Sequence, residues 1–165
     1  MNKKPRQKRA PTNHKKTLSR LMAVQIFYQH EFFNRERKLE EIKEELIENY
    51  LLDSQRQTTS YRKEIDESFL NVLVTGLSLE IATIDAEISE FLKGDWSLDQ
   101  LEDVTLQILR VAAFELKNLS DIPAKVVIGE YVDIAASFFD SKRLTFVNAT
   151  LDALAKKFRT AEFEK

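Results

Sequence analysis

The chain predicts an all-helical bundle. Its 165 residues hold only three glycines and three prolines, so turns are few and the elements between them long. Apolar residues recur at three- and four-residue spacing, and no stretch alternates as a half-buried strand does. The segment from Leu101 to Leu154 also holds a helix that is apolar nearly all round, which demands enclosure by other helices.

In chain order, residues 1–13 place Pro5 and Pro11 among charges with little to bury, which predicts a disordered basic arm. Residues 14–165 are long enough for one continuous core and read as a single domain. Asn13 or Thr17 is positioned to cap a first helix ending near Phe33. Leu39 to Leu52 is amphipathic, with Leu39, Ile42, Leu46 and Tyr50 on one side and glutamates on the other. Tyr61 to Leu77 reads as a third helix and Leu79 to Leu92 as a fourth, with Gly76 marking a close approach or an end. Lys93-Gly94-Asp95 stops that helix. Trp96 before Ser97, with Gln100 three residues on, resembles a capping box with a hydrophobic staple.

The central helix is Leu106-Gln107-Ile108-Leu109-Arg110-Val111-Ala112-Ala113-Phe114-Glu115-Leu116. Its charges, Arg110 and Glu115, need partners if buried, so structural ion pairs are expected of them. Pro123 opens the next helix, which runs to about Phe139, and the last runs from Leu144 to about Arg159. The turn between them, Asp140-Ser141-Lys142-Arg143, sets two cations beside unpaired backbone N–H groups, a reasonable phosphate site.

Charge is distributed unevenly. The first twenty residues carry eight bases and no acid, while the remainder holds 17 bases against 27 acids. A basic arm on an acidic body suits a protein that meets phosphate at one place. Catalytic chemistry finds no foothold. There is no cysteine, the histidines His14 and His30 lack a partnered nucleophile, and no glycine-rich phosphate loop exists. The expectation is a binding protein, not an enzyme, without metal or cofactor. No apolar run approaches the roughly 18 residues of a membrane span, so a cytoplasmic location is expected.

Several pieces, in their order and spacing, resemble the NusB family from about His14 to Leu154. They are Arg20 followed by Ala23-Val24-Gln25-Ile26-Phe27-Tyr28-Gln29; Leu73-Val74-Thr75-Gly76-Leu77; Ile84-Asp85; Trp96 with Leu98 and Leu101; the central Ile108-to-Leu116 run; Ile122-Pro123-Ala124-Lys125-Val126-Val127-Ile128; and Phe146-Val147-Asn148 with Leu151-Asp152. The resemblance implies about seven helices in two packed helical subdomains. It also implies binding of boxA-type single-stranded RNA in ribosomal RNA leader transcripts. The partner would be the small-subunit ribosomal protein NusE, within an antitermination complex on RNA polymerase.

Carried over by residue, the resemblance assigns RNA contacts to Lys16 and Arg20, with Lys15 compensating for Thr17 and Leu18 where bases are common. It assigns base stacking to Phe146, near Asn148; Lys142 and Arg143 make the preceding turn more basic than is usual in the family, and such cations can hold phosphates beside a stacked base. Arg20, Arg143 and Phe146 would then form one cradle. Tyr28 matches a tyrosine of the partner face. Its acidic support falls on Thr105 here, so the charged contact is either lost or moved to Asp103. Gly129, Tyr131, Ala136, Phe139 and Ala149 depart from the family pattern, and Phe139 replaces a helix-ending glycine. A NusB-like module of the kind joined to ribosomal RNA methyltransferases, or a helical protein–protein adaptor, are the alternatives. Family members occur as monomers and as homodimers, and the residues favour neither.

Overall fold

The computed structural model describes residues 14–53, 65–92 and 97–164, with 51–53 as backbone only. The basic arm, Asn13, the segment 61–64 and Lys93 to Trp96 lie outside the described residues. Among the described residues seven α-helices follow in order: α1 His14–Phe32, α2 Leu39–Asp53, α3 Glu67–Ser89, α4 Asp103–Asn118, α5 Ala124–Ala136, α6 Ser141–Phe158 and α7 Thr160–Phe163.

The central position belongs to α4, as its all-round apolar pattern requires. Thr105 and every residue from Gln107 to Leu116 are buried. It packs against α1, α3, α5 and α6. The core is continuous around it, from Ile26 and Phe27 of α1 through Leu73 and Leu77 of α3 to Val147 and Leu151 of α6. On α2, Ile42 and Ile47 are buried, and buried Lys43 reaches Asn71 of α3 at 2.9 Å.

The two helices expected around Gly76 are one. Asp66 opens α3 by accepting from the Phe69 N–H at 2.9 Å, and the helix continues for 23 residues. Gly76 ends nothing; it makes room. A Cβ there would lie 2.2 Å from Cζ of Phe114, so the α4 aromatic ring packs directly on the α3 backbone. The fused helix has no unbroken apolar run of membrane-spanning length, but it is long. Among the described residues α3 alone is long and apolar enough to cross a membrane by length and composition. Its apolar side is occupied within the bundle, with Phe69, Leu70, Leu73, Val74, Leu77, Ile84 and Ile88 all buried.

Other boundaries shift for local reasons. Thr17 lies inside α1, which already runs from His14, and its hydroxyl donates to Glu130 Oε2 at 2.8 Å. The Ser97 N–H donates to Gln100 Oε1 at 3.0 Å, as a capping box would, but the element it closes is a single 3₁₀ turn, Leu98–Gln100. With Phe139 in place of glycine, α5 ends without a left-handed residue. Ser137 stays helical at φ −72°, and the Phe138 and Phe139 N–H groups both donate to the Ala135 carbonyl at 3.0 Å. The helix expected to be the last, α6, starts at Ser141 rather than Leu144, because the Asp140 side chain accepts from the Arg143 N–H at 3.2 Å, and a short α7 follows it.

Candidate nucleic-acid and partner interface

The early start of α6 puts Lys142 and Arg143 in its first turn, both exposed. One backbone N–H there is already taken by Asp140, so side-chain cations, more than the bare helix end, must attract an anion. The Arg143 guanidinium pairs with Glu102, which precedes α4, and lies over the Phe139 ring at 5.3 Å from its centre. Phe146 follows Arg143 by three residues and is therefore its neighbour on the helix surface. While Val147, Thr150 and Leu151 turn inward, Phe146 stays 38% exposed, and Asn148 is exposed beside it in sequence. The α6 start thus joins an accessible aromatic to two cations.

The N-terminal half of the expected cradle is different. Lys15 and Lys16 occupy the first turn of α1, with the Lys16 ammonium 5.1 Å from the centre of the Phe69 ring. Arg20, in contrast, is only 3% exposed and is committed to acids inside the protein. Its Nε donates to Glu115 Oε2 at 3.0 Å and its Nη2 to Oε1 at 2.7 Å, while Nη1 lies 3.7 Å from Glu130. Tyr131 donates its hydroxyl to the same Glu115 at 2.6 Å. Burial works against the charged guanidinium, but the Glu115 hydrogen bonds and charge more than offset it and hold the Arg20 pKa up. Burial and the neighbouring Glu115 carboxylate push the Tyr131 phenol well up, so it remains a donor. Arg20 is thus a structural cation, and the phosphate contact expected of it is corrected on that ground.

The two basic segments meet the same helix at different places. Thr17 bonds to Glu130 in mid-α5, whereas Arg143 covers Phe139 just past its end. From Glu130 to Ala136 the axis advances by roughly 9 Å at 1.5 Å per residue.

The expected partner face centres on Tyr28, which is half-buried and stacks on Phe32 with ring centres 6.3 Å apart. Phe32 is 65% exposed and meets Phe33 edge-on at 5.2 Å, while Arg37 covers Phe33 at 5.5 Å. Sequence reasoning missed both phenylalanines, although the 28, 32, 33 spacing already set them on one helix end. Asp103 is exposed in the first turn of α4. Thr105 is buried, so it has little surface to offer a partner and is corrected to a packing residue.

Both central charges are paired as expected: Arg110 binds Asp85 through Nε and Nη2 at 2.8 Å each and Glu31 through Nη1 at 3.1 Å. Arg159, unremarked in the sequence, closes the end of α4. It donates to the carbonyls of Leu116 at 2.8 Å and Leu119 at 2.6 Å, and also to that of Ile122.

Comparison with known proteins agrees with the helical fold. A model of the NusB family matches residues 17–156. The chain is similar to transcription antitermination protein NusB of Rhizobium rhizogenes, 33% identical over 159 residues, covering 96% of this chain and 97% of that one. NusB of T. maritima superposes with a TM-score of 0.72 at 30% identity, over 90% of this chain and 96% of that structure. A chain from a crystal structure of antitermination factors NusB and NusE in complex with dsRNA shares the fold, with a TM-score of 0.70 at 24% identity over 87% of this chain and 98% of that one.

Proposed function

The chain belongs to the NusB family, and on that premise we propose that it binds boxA-type single-stranded RNA in ribosomal RNA leader transcripts. It does so with the ribosomal protein NusE, in the cytoplasm, within an antitermination complex on RNA polymerase, and as a binding protein rather than an enzyme. The observation that carries this reading is Phe146, exposed at the start of α6 one turn from the exposed cations Lys142 and Arg143. An unpaired base stacks on an aromatic ring with little regard to sequence, while flanking cations hold its phosphates. Lys15 and Lys16 supply further positive charge at the start of α1. Asn148 adds an exposed amide capable of donating and accepting.

The second contact is with NusE. Tyr28, Phe32 and Phe33 offer an aromatic surface of the kind enriched at interfaces, and Asp103 adds a negative group on α4. Retention on immobilised NusE tests this half directly. The chain should be retained alone and more strongly once a boxA dodecamer is added. No retention under either condition overturns the partner assignment. Retention unchanged by the RNA overturns the joint site.

A further inference from the structure

Past the end of α5 a second aromatic pair stands beside the cations of α6. Phe138 is 47% exposed, and Phe139 is partly buried against the core with its ring centre 6.3 Å from that of Phe138. Both backbones are tied to the helix end by their bonds to the Ala135 carbonyl, so the pair is a fixed platform rather than a loop tip. Arg143 links it to Phe146: its guanidinium covers Phe139 at 5.3 Å, and it precedes Phe146 by one turn of α6. Phe138 thus touches Phe139, Phe139 touches Arg143, and Arg143 lies one helical turn from Phe146.

We propose that Phe138, backed by Phe139, is a second base-stacking position that extends the single-strand track from Phe146 across Arg143 toward the end of α5. The inference rests on the RNA-binding reading above. Exposed cations interleaved with flat aromatic faces favour a nucleic acid as occupant over an apolar protein segment. Lys142 and Arg143 are exposed here, and of the nearby acids Asp140 is engaged as a cap and Glu102 is paired with Arg143. A guanidinium plane can itself stack a base, so Arg143 is able to bridge two aromatic positions as well as contact phosphate. The acceptable occupant is an unpaired base, since a base within a duplex has no free face to give.

Anisotropy of a labelled boxA dodecamer tests it, using the full chain, Phe138→Ala, Phe138→Tyr and a set of dodecamers each with one abasic nucleotide. Phe138→Ala should weaken binding about tenfold, the usual scale of one base–aromatic stack. Phe138→Tyr should bind as the parent does. One abasic position should weaken the parent by a similar factor yet leave Phe138→Ala unaffected, a coupling that a merely structural role would not produce. The inference fails if Phe138→Ala stays within twofold of the parent, or weakens with no coupled abasic position. It fails equally if Phe138→Ala loses NusE retention with RNA affinity intact, which makes the patch a protein contact. A parent chain without affinity for any of these RNAs removes the RNA-binding reading itself, and this inference with it.

Discussion

The guanidinium of Arg20 and the carboxylate of Glu115 meet in a bidentate pair, at 2.7 and 3.0 Å, with both side chains buried. This contact joins α1 to the centre of the bundle, and Tyr131 and Glu130 bring α5 into it. Glu115→Ala leaves Arg20 buried and largely uncompensated. The expected cost is about 3–5 kcal/mol, the usual result of removing one partner of a buried pair. Urea unfolding measures it; a loss under about 1 kcal/mol means the pair is not the tie described.

What could be read in advance follows from what is local. The all-round apolar pattern of α4 identified the central helix, and the buried charges Arg110 and Glu115 announced their need for partners. Their partners could not be named, because Asp85 and Arg20 come close only in three dimensions. Arg20 shows the limit most clearly: a base near a basic arm reads as a phosphate ligand until folding places Glu115 beside it. The start of α6 was legible in principle, since an aspartate before a helical run is a capping signal. Gly76 was read correctly as a close approach but also as a possible end, because its helical cost is visible in the sequence and the compensating Phe114 ring is not.

Gly76 is consequently a sensitive position. Alanine is intrinsically better in a helix by roughly 1 kcal/mol, yet its methyl would lie 2.2 Å from the Phe114 ring. Overpacking of this sort typically costs about 1–3 kcal/mol, so Gly76→Ala should destabilise the chain despite its propensity gain. Adding Phe114→Leu should recover part of the loss. A thermal midpoint raised by Gly76→Ala alone argues against the close packing.

Acid should loosen two contacts together. Burial pushes the Glu31 carboxyl up, but the Arg35 hydrogen bond and the charges of Arg35 and Arg110 outweigh it and leave the pKa below the usual range. The Ala124 backbone N–H lowers Glu162, which also pairs with Arg159. A folded pKa below the unfolded one gives stability that is present above the unfolded value, about 4.3 for glutamate. It is lost as pH falls through the folded value. The urea midpoint should hold steady from neutral pH to about 5 and decline below about 4.3. Replacing both residues by glutamine should flatten part of that decline; an unchanged profile removes these two acids as its cause.

On the proposed reading Glu102 would compete with phosphate for Arg143, since the two side chains pair while both remain about half exposed. Exposed pairs contribute about 0.2–1 kcal/mol. Glu102→Gln should therefore strengthen RNA binding by up to about fivefold at low salt, converting that range at 1.4 kcal/mol per tenfold. The gain should fade as salt screens the charges. Weaker binding by Glu102→Gln at low salt would mean that Glu102 orients Arg143 for RNA instead of occupying it.

The most direct measurement is the affinity of the chain and of Phe146→Ala for a boxA dodecamer and a scrambled one, each with and without NusE, read by anisotropy over a salt series. The parent should prefer boxA and bind it more tightly with NusE, its affinity falling with salt at a slope near −0.7 per phosphate neutralised. Phe146→Ala should lose about tenfold on boxA. Equal affinity for both sequences, with and without the ribosomal protein, would contradict an RNA-reading site at the start of α6.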